Sequence, residues 1–287
     1  MPHHTLYPLS TFSPKAWSSI RQLLDPPSSQ SPSQPSRVNL AASTWKDGFI
    51  VNLGTPQGHN KPTRPQDLKG WHVDGDFFVH YLDSPEQALL VIPLWTSIAP
   101  SAGGTLICPS AIPIIASHLY AHPEGVSPRM TPRAQNPTFS QENSDGEDGL
   151  KFFNDIARSM PSSAFIEATG AVGDVYFLHP LMLHSASNNA LRIPRVITNP
   201  PVSLNEPFNF DRPDEKDYSV VELKTLRALG KSRLEGWRIT EERQGVIPER
   251  VRIQERMKRE EEERLRKLKE QQGVVEEMTS GEQAVAV

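Results

Sequence analysis

The fold turns on Gly173-Asp174-Val175-Tyr176-Phe177-Leu178-His179-Pro180-Leu181-Met182-Leu183-His184, with Arg195 a short way beyond. Gly173-Asp174 reads as a tight turn and Val175 to Leu178 as a short buried strand. The histidine-containing segment that follows closes in Ser185-Ala186-Ser187-Asn188-Asn189 before Arg195. Four other runs have the same character: Phe49 to Asn52, Ala88 to Trp95, Gly104 to Cys108 and Arg195 to Thr198. Each is short, apolar and bounded by Gly, Pro, Asn or Asp, which favours strands over helices. Several short strands without long intervening helices predict a mainly β fold with flanking helices, arranged as a sandwich or barrel over residues 45–212.

Outside that segment the composition changes. Residues 1–44 are expected to hold a short amphipathic helix, with Ser13 as N-cap, Pro14 in the first turn and Trp17, Ile20, Leu23 and Leu24 on its apolar face. A Pro, Ser and Gln-rich stretch at 26–36 follows and reads as a linker or surface loop. Residues 121–149 are too polar for core and read as an insertion, either a lid or a disordered loop. Residues 213–287 are expected to be a helical extension. Ser219 with Glu222 predicts a capping box before Leu223, Leu226 and Leu229, and Gly230 stands where a helix C-cap belongs. A charged helix is predicted from Pro248 to about Gln272, with a frayed tail from Gly273. Its apolar stripe is broken and its charges alternate in sign, so a solvated helix packed by one edge is favoured over a coiled coil or recognition helix.

The bulk properties exclude some classes. In 287 residues, 34 acidic and 30 basic side chains give a formal charge of −4, which signals neither a nucleic-acid nor an anionic-membrane partner. The one cysteine, Cys108, rules out an internal disulfide framework and suits a reducing compartment. No apolar stretch reaches the roughly 18 residues of a membrane span, and the start of the chain lacks a signal-peptide pattern, so a cytoplasmic protein is expected.

The chemistry-bearing residues come in two groups. In Trp71-His72-Val73-Asp74-Gly75, side chains two apart on an extended backbone share a face, so His72 and Asp74 can converge on one ion. With His184 from a distant strand they make the two-imidazole, one-carboxylate set that holds iron(II) and leaves positions open. A bland reading stands beside this one: His72 as a hydrogen-bonded core histidine and Asp74 as a turn residue before Gly75. A forked, permanently charged guanidinium at Arg195 suits bidentate capture of a carboxylate, and 2-oxoglutarate carries a carboxylate at each end. Arg192 is the rival, but Pro194 suggests that Arg192 stays in a loop while Arg195 enters a strand with Ile197 and Asn199 on its face. His80 and His179 fit core roles better than ligand roles.

In these residues the sequence resembles the phytanoyl-CoA dioxygenase family of iron(II)/2-oxoglutarate oxygenases over about residues 49 to 200. The likeness is most specific in Gly173-Asp174-x-x-Phe177-x-His179-Pro180-Leu181-x-x-His184, with Asn189 and Arg195 at the family's spacing behind it. It implies a double-stranded β-helix, or jelly roll, with His72, Asp74 and His184 as metal ligands and Arg195 as the 2-oxoglutarate anchor. Trp95-Thr96, Gly103-Gly104 and Cys108-Pro109-Ser110 look like the family's central strand pair, which makes Trp95 either a wall of the cosubstrate pocket or a core tryptophan. Three features depart from the family pattern. Ala186 stands where a small hydroxyl residue is usual, Ser110-Ala111 replaces the usual histidine turn, and the stretch before His72 is short.

The expected activity is therefore a dioxygenase using Fe(II), 2-oxoglutarate and O2 to oxidise a small-molecule substrate, with release of succinate and CO2. Because Asp74 is present, no position is vacated for a halide, which favours hydroxylation, desaturation or ring-forming oxidation. Two alternatives remain: a cupin-type iron oxygenase independent of 2-oxoglutarate, and a catalytically inactive jelly-roll binding protein that uses the charged helix. The Pro-rich stretch at 54–70 and the insertion at 121–149 are expected to frame the pocket mouth. Neither the substrate nor the oligomeric state is legible.

Overall fold

The computed structural model describes residues 6–29, 34–46, 48–135 and 147–283. Two compact units are present, Met1–Gly245 and Val246–Val287. The strands are β1 (Tyr7–Pro8), β2 (Thr44–Trp45), β3 (Ile50–Asn52), β4 (Leu90–Pro93), β5 (Thr105–Cys108), β6 (Ile166–Ala168), β7 (Val175–Leu178), β8 (Leu183–Ala186) and β9 (Arg195–Ile197). The helices are α1 (Leu9–Phe12), α2 (Pro14–Leu24), α3 (Ile112–Ala121), α4 (Lys151–Ser159), α5 (Val220–Ala228) and α6 (Glu249–Gln283). Both classes are well represented, at 35% helix and 17% strand, so the β share is smaller than the sequence suggests. The strands are only two to four residues long, and α3 and α4 were not expected.

All strand pairs are antiparallel, in four small sheets: β1-β2, β3-β9, β4-β7 and β6-β5-β8. The described residues close no barrel. Single bridges join two of these sheets and extend a third. Leu94 pairs with Ile197, which links β3-β9 to β4-β7, and His72 pairs with His184 on the free side of β8. The result is two runs of extended chain, β3-β9-β4-β7 and the His72 segment-β8-β5-β6.

Alternation along β4 shows how the runs are packed. Leu90, Ile92 and Leu94 join Ile107, Leu178, Met182 and Ile197 in one apolar cluster, to which both runs contribute. Leu89 and Val91 face the other way, into a larger cluster with Ile20 and Leu24 of α2, Val202, and Val221 and Leu226 of α5. A strand covered on both faces has no polar side, which explains the unbroken apolar run from 88 to 94.

Helices α2 and α5, from the first and last expected segments, bury their apolar faces in the same cluster as β4. Ser13 sits at the start of α2 but makes no side-chain capping bond. The Ser219–Glu222 capping box is complete, and Gly230 follows α5 with a positive φ of 66°. The described part of the 26–36 stretch is tied down: the Asp25 carboxylate accepts from Ser36 Oγ and Arg37 N, and Arg37 forks onto Glu222. In the expected insertion, Val126 bridges His80 and is fully buried with Met130, while residues 136–146 lie outside the described residues. Residues 54–70 are anchored through Asn188 Nδ2 to Gly58 O and Lys61 O, and through Trp71 Nε1 to Pro65 O. In the second unit, α6 runs further than expected, and its ion pairs include Lys258–Glu262 and Lys267–Glu263 at i,i+4. No helix among the described residues is long and apolar enough to cross a membrane.

Candidate metal centre

His72 and His184 are brought together by backbone pairing. Each donates its N–H to the other's carbonyl, at 3.0 and 2.9 Å, which forms a hydrogen-bonded antiparallel pair. Residues opposed in this way project from the same face, and their ring centroids lie 4.3 Å apart. On the other side of β8, His184 stands opposite Ile107, a member of the inner apolar cluster. The imidazoles therefore project toward that cluster. Trp71 and Val73, which alternate with His72, are buried on the other face, where Trp71 packs on Phe165 at 5.1 Å.

Asp74 follows two residues after His72 and completes the group. Its Oδ1 lies 3.7 Å from His72 Nε2 and 3.5 Å from His184 Nε2, and the donor atoms of all three side chains fall within 4.8 Å of one another. Donors each about 2.1 Å from a shared ion would stand roughly 3.0 to 3.4 Å apart, so a small contraction is enough to close the group on a metal. Gly75 makes the turn after Asp74 possible. Its φ is 117°, and a Cβ there would lie 2.6 Å from the Phe78 ring and 2.7 Å from His80 Cε1.

The ring nitrogens are already sorted for metal binding. His72 Nδ1 donates to Gly70 O at 2.8 Å and His184 Nδ1 to Met182 O at 3.0 Å. A carbonyl only accepts, so each Nδ1 carries a proton, and each Nε2 faces the Asp74 side. Burial and the neighbouring His184 lower His72 to about 4. Burial opposes charge on Asp74 too, but the two imidazoles and the Asn199 amide hold its carboxyl well below the usual range. For His184, burial also disfavours the charge, and the adjacent Asp74 outweighs it, so its pKa is raised. The His72 side chain is 40% exposed and that of His184 8%, so the group opens toward solvent on the His72 side.

Asn199 completes the surroundings, with Nδ2 donating to Asp74 Oδ2 at 2.7 Å. Arg195, Ile197 and Asn199 alternate along one face of the chain, and Ile197 belongs to the inner cluster. Arg195 is 2% exposed, and its Nε and Nη1 donate to Gly103 O at 2.8 Å and Ile50 O at 3.3 Å. No carboxylate pairs with it among the described residues, and burial lowers its pKa. Arg192 is exposed, with φ at 56°, in the loop before β9.

The remaining sequence candidates lie elsewhere. Trp95 does not join the metal group: it is 37% exposed, bonds Thr198 Oγ1 through Nε1 at 3.0 Å, and meets Phe12, Trp45 and Phe49 at 5.9 to 6.5 Å. Its neighbour Leu94 takes the inward position, which turns the indole outward and makes it part of a surface aromatic cluster. His80 is buried against Phe78 and bonded to Gly75 O. His179 accepts from Leu181 N and donates to Thr225 Oγ1. Both are core histidines, lowered by burial to about 4 and about 3. Thr105 carries a hydroxyl that the sequence did not single out. It stands opposite Ala186 and two residues from Ile107, on the face that carries His184.

No protein family, curated protein or solved structure matches the chain. The functional reading therefore rests on the site itself.

Proposed function

We propose that the protein is an Fe(II)/2-oxoglutarate-dependent oxygenase of the phytanoyl-CoA dioxygenase type, on a double-stranded β-helix framework. The framework is supported by the two antiparallel runs that share an inner cluster drawn from β4, β5, β7 and β9. The observation that carries the function is the convergence of His72, Asp74 and His184, with both Nδ1 atoms bonded to carbonyls. Two imidazoles and one carboxylate suit iron(II) bound on one side with positions left open. When bound, iron(II) supplies the chemistry by which 2-oxoglutarate and O2 become succinate and CO2 while a C–H bond of the substrate gains the second oxygen atom.

The chain's own residues prepare this site. His72 and His184 present their Nε2 atoms to the ion, and Asp74 balances part of its charge. Arg195, a buried cation that meets no anion among the described residues, takes the distal carboxylate of 2-oxoglutarate, and the remaining N–H groups of its fork give that contact direction. The hydroxyl missing at Ala186 is supplied on the same face by Thr105, a second donor for that carboxylate. Ile107, Met182 and Ile197 line this face with apolar surface, which excludes water from the reacting groups. A small organic substrate enters from the solvent side of His72.

The test is reconstitution with Fe(II) and 2-oxoglutarate, followed by addition of O2 and measurement of succinate across a panel of small organic substrates. Succinate release that needs O2 and iron, and disappears in His184→Ala, is the expected result. Failure to release succinate with iron bound would remove the oxygenase reading.

A further inference from the structure

We propose that Asn199 is a positioning residue for the metal centre, dividing the two oxygens of Asp74 so that only Oδ1 is offered to the ion. The inference rests on the metal-site reading above. Asn199 Nδ2 donates to Asp74 Oδ2 at 2.7 Å, while Oδ1 is the oxygen near both imidazole Nε2 atoms. A carboxylate left to itself can close on a cation with both oxygens, which uses two coordination positions. A charge-assisted bond to one oxygen must be given up before that happens, so the amide opposes bidentate binding and keeps a position open.

Asn199 is exposed, so its own packing does not fix it. Its backbone is held by the residues just before it. Leu94 bridges Ile197, Trp95 N donates to Val196 O at 2.9 Å, and Trp95 Nε1 donates to Thr198 Oγ1 at 3.0 Å. The three residues preceding Asn199 are thus each anchored to the segment after β4. Asp74 is carried by a different segment, fixed by the His72–His184 pair and the Gly75 turn. The Asn199–Asp74 bond joins these two rigid pieces at the mouth of the site. This gives the surface tryptophan a use in the site that it lacks as a pocket wall: it holds the strand end that carries the amide.

Cobalt(II) is a suitable probe, because its visible absorption weakens as coordination number rises and its affinity can be read by competition with a chromophoric chelator. Asn199→Ala should bind Co(II) about 10- to 100-fold more weakly than wild type and show a less intense spectrum. Asn199→Gln, which keeps the amide on a longer arm at an exposed position, should recover part of both. Thermal midpoints of the metal-free variants should match wild type. If Asn199→Ala binds Co(II) with wild-type affinity and an unchanged spectrum, while His72→Ala loses binding, the metal site stands and the role of Asn199 is overturned. If wild type binds no Co(II), or His72→Ala binds it as wild type does, the metal-site reading fails and this inference fails with it.

Discussion

Glu222 and Arg195 are both buried charges, yet among the described residues Glu222 meets opposite charges and Arg195 meets none. Its carboxylate accepts from Ser219 N and Asn209 N, receives the Arg37 fork and is approached by Arg212. Burial penalises that charge, and the Arg37 contact and the two backbone donors outweigh the penalty, leaving its pKa below the usual value. Arg195 donates to two backbone carbonyls and meets no carboxylate among the described residues, and the ligand atoms of His72, Asp74 and His184 stand within 4.8 Å of one another. The first cluster uses its carboxylate in joining the N-terminal stretch to α5. The second holds binding capacity in reserve, which is costly in a folded chain unless a ligand takes it up. One cluster should therefore govern stability and the other ligand binding.

The largest effect should come from the metal ligands. Alanine at His72, Asp74 or His184 should cost about 3 to 4 kcal/mol of metal affinity, a few hundred-fold or more, in a chelator competition assay. The thermal midpoint of the metal-free protein should move little. Glu222→Ala should do the reverse. It strands Arg37 and Arg212, whose side chains keep 20% and 22% exposure. That partial solvation puts the loss toward the low end for a broken buried pair, about 2 to 3 kcal/mol by urea unfolding, with metal affinity unchanged.

Acid should act on the structural cluster and its neighbours. Folded His179 stays neutral to about 3, whereas in the unfolded chain it takes a proton below about 6.5. The unfolded state thus binds more protons in that window, and stability falls as the pH drops through it. Between pH 7.5 and pH 5 this residue should cost about 2 kcal/mol, and His179→Gln should remove that share of the pH dependence. The smallest effect is expected from ending the chain at Gly245. The first unit has its own core, so its unfolding free energy should change by no more than about 0.5 kcal/mol, with Co(II) affinity intact. A larger loss would show that α6 shares in that core.

Of the candidate site, the grouping of His72, Asp74 and His184 was legible in the sequence, and less of the framework was. His72-x-Asp74 was legible because a two-residue repeat on extended chain places both side chains on one face, and Pro194 separated the loop arginine from the strand arginine. The face of Trp95 was not legible. The run from 88 to 95 is apolar on both sides because both sides are covered, and without a polar side periodicity cannot say which way the indole points. Helix α3 was hidden for a similar reason: Ile112-Pro113-Ile114-Ile115 is a short β-branched apolar run, as open to strand as to helix. Asn199 and Thr105 have no local signature. The roles proposed for them depend on cross-strand register, which is set by pairing between distant segments.

The most direct test of the account is calorimetric titration of 2-oxoglutarate under anaerobic conditions, with and without Fe(II), into wild type, Arg195→Gln, Arg195→Lys and Arg192→Gln. Wild type should bind 2-oxoglutarate only when iron is present. Arg195→Gln should lose about 2 to 5 kcal/mol, roughly 30-fold to several-thousand-fold in affinity, because a carboxylate is left buried without its counter-charge. Arg195→Lys should recover part of this, keeping the charge and losing the fork, and Arg192→Gln should match wild type. Wild-type affinity in Arg195→Gln, or no binding by the iron-loaded wild type, would contradict the account.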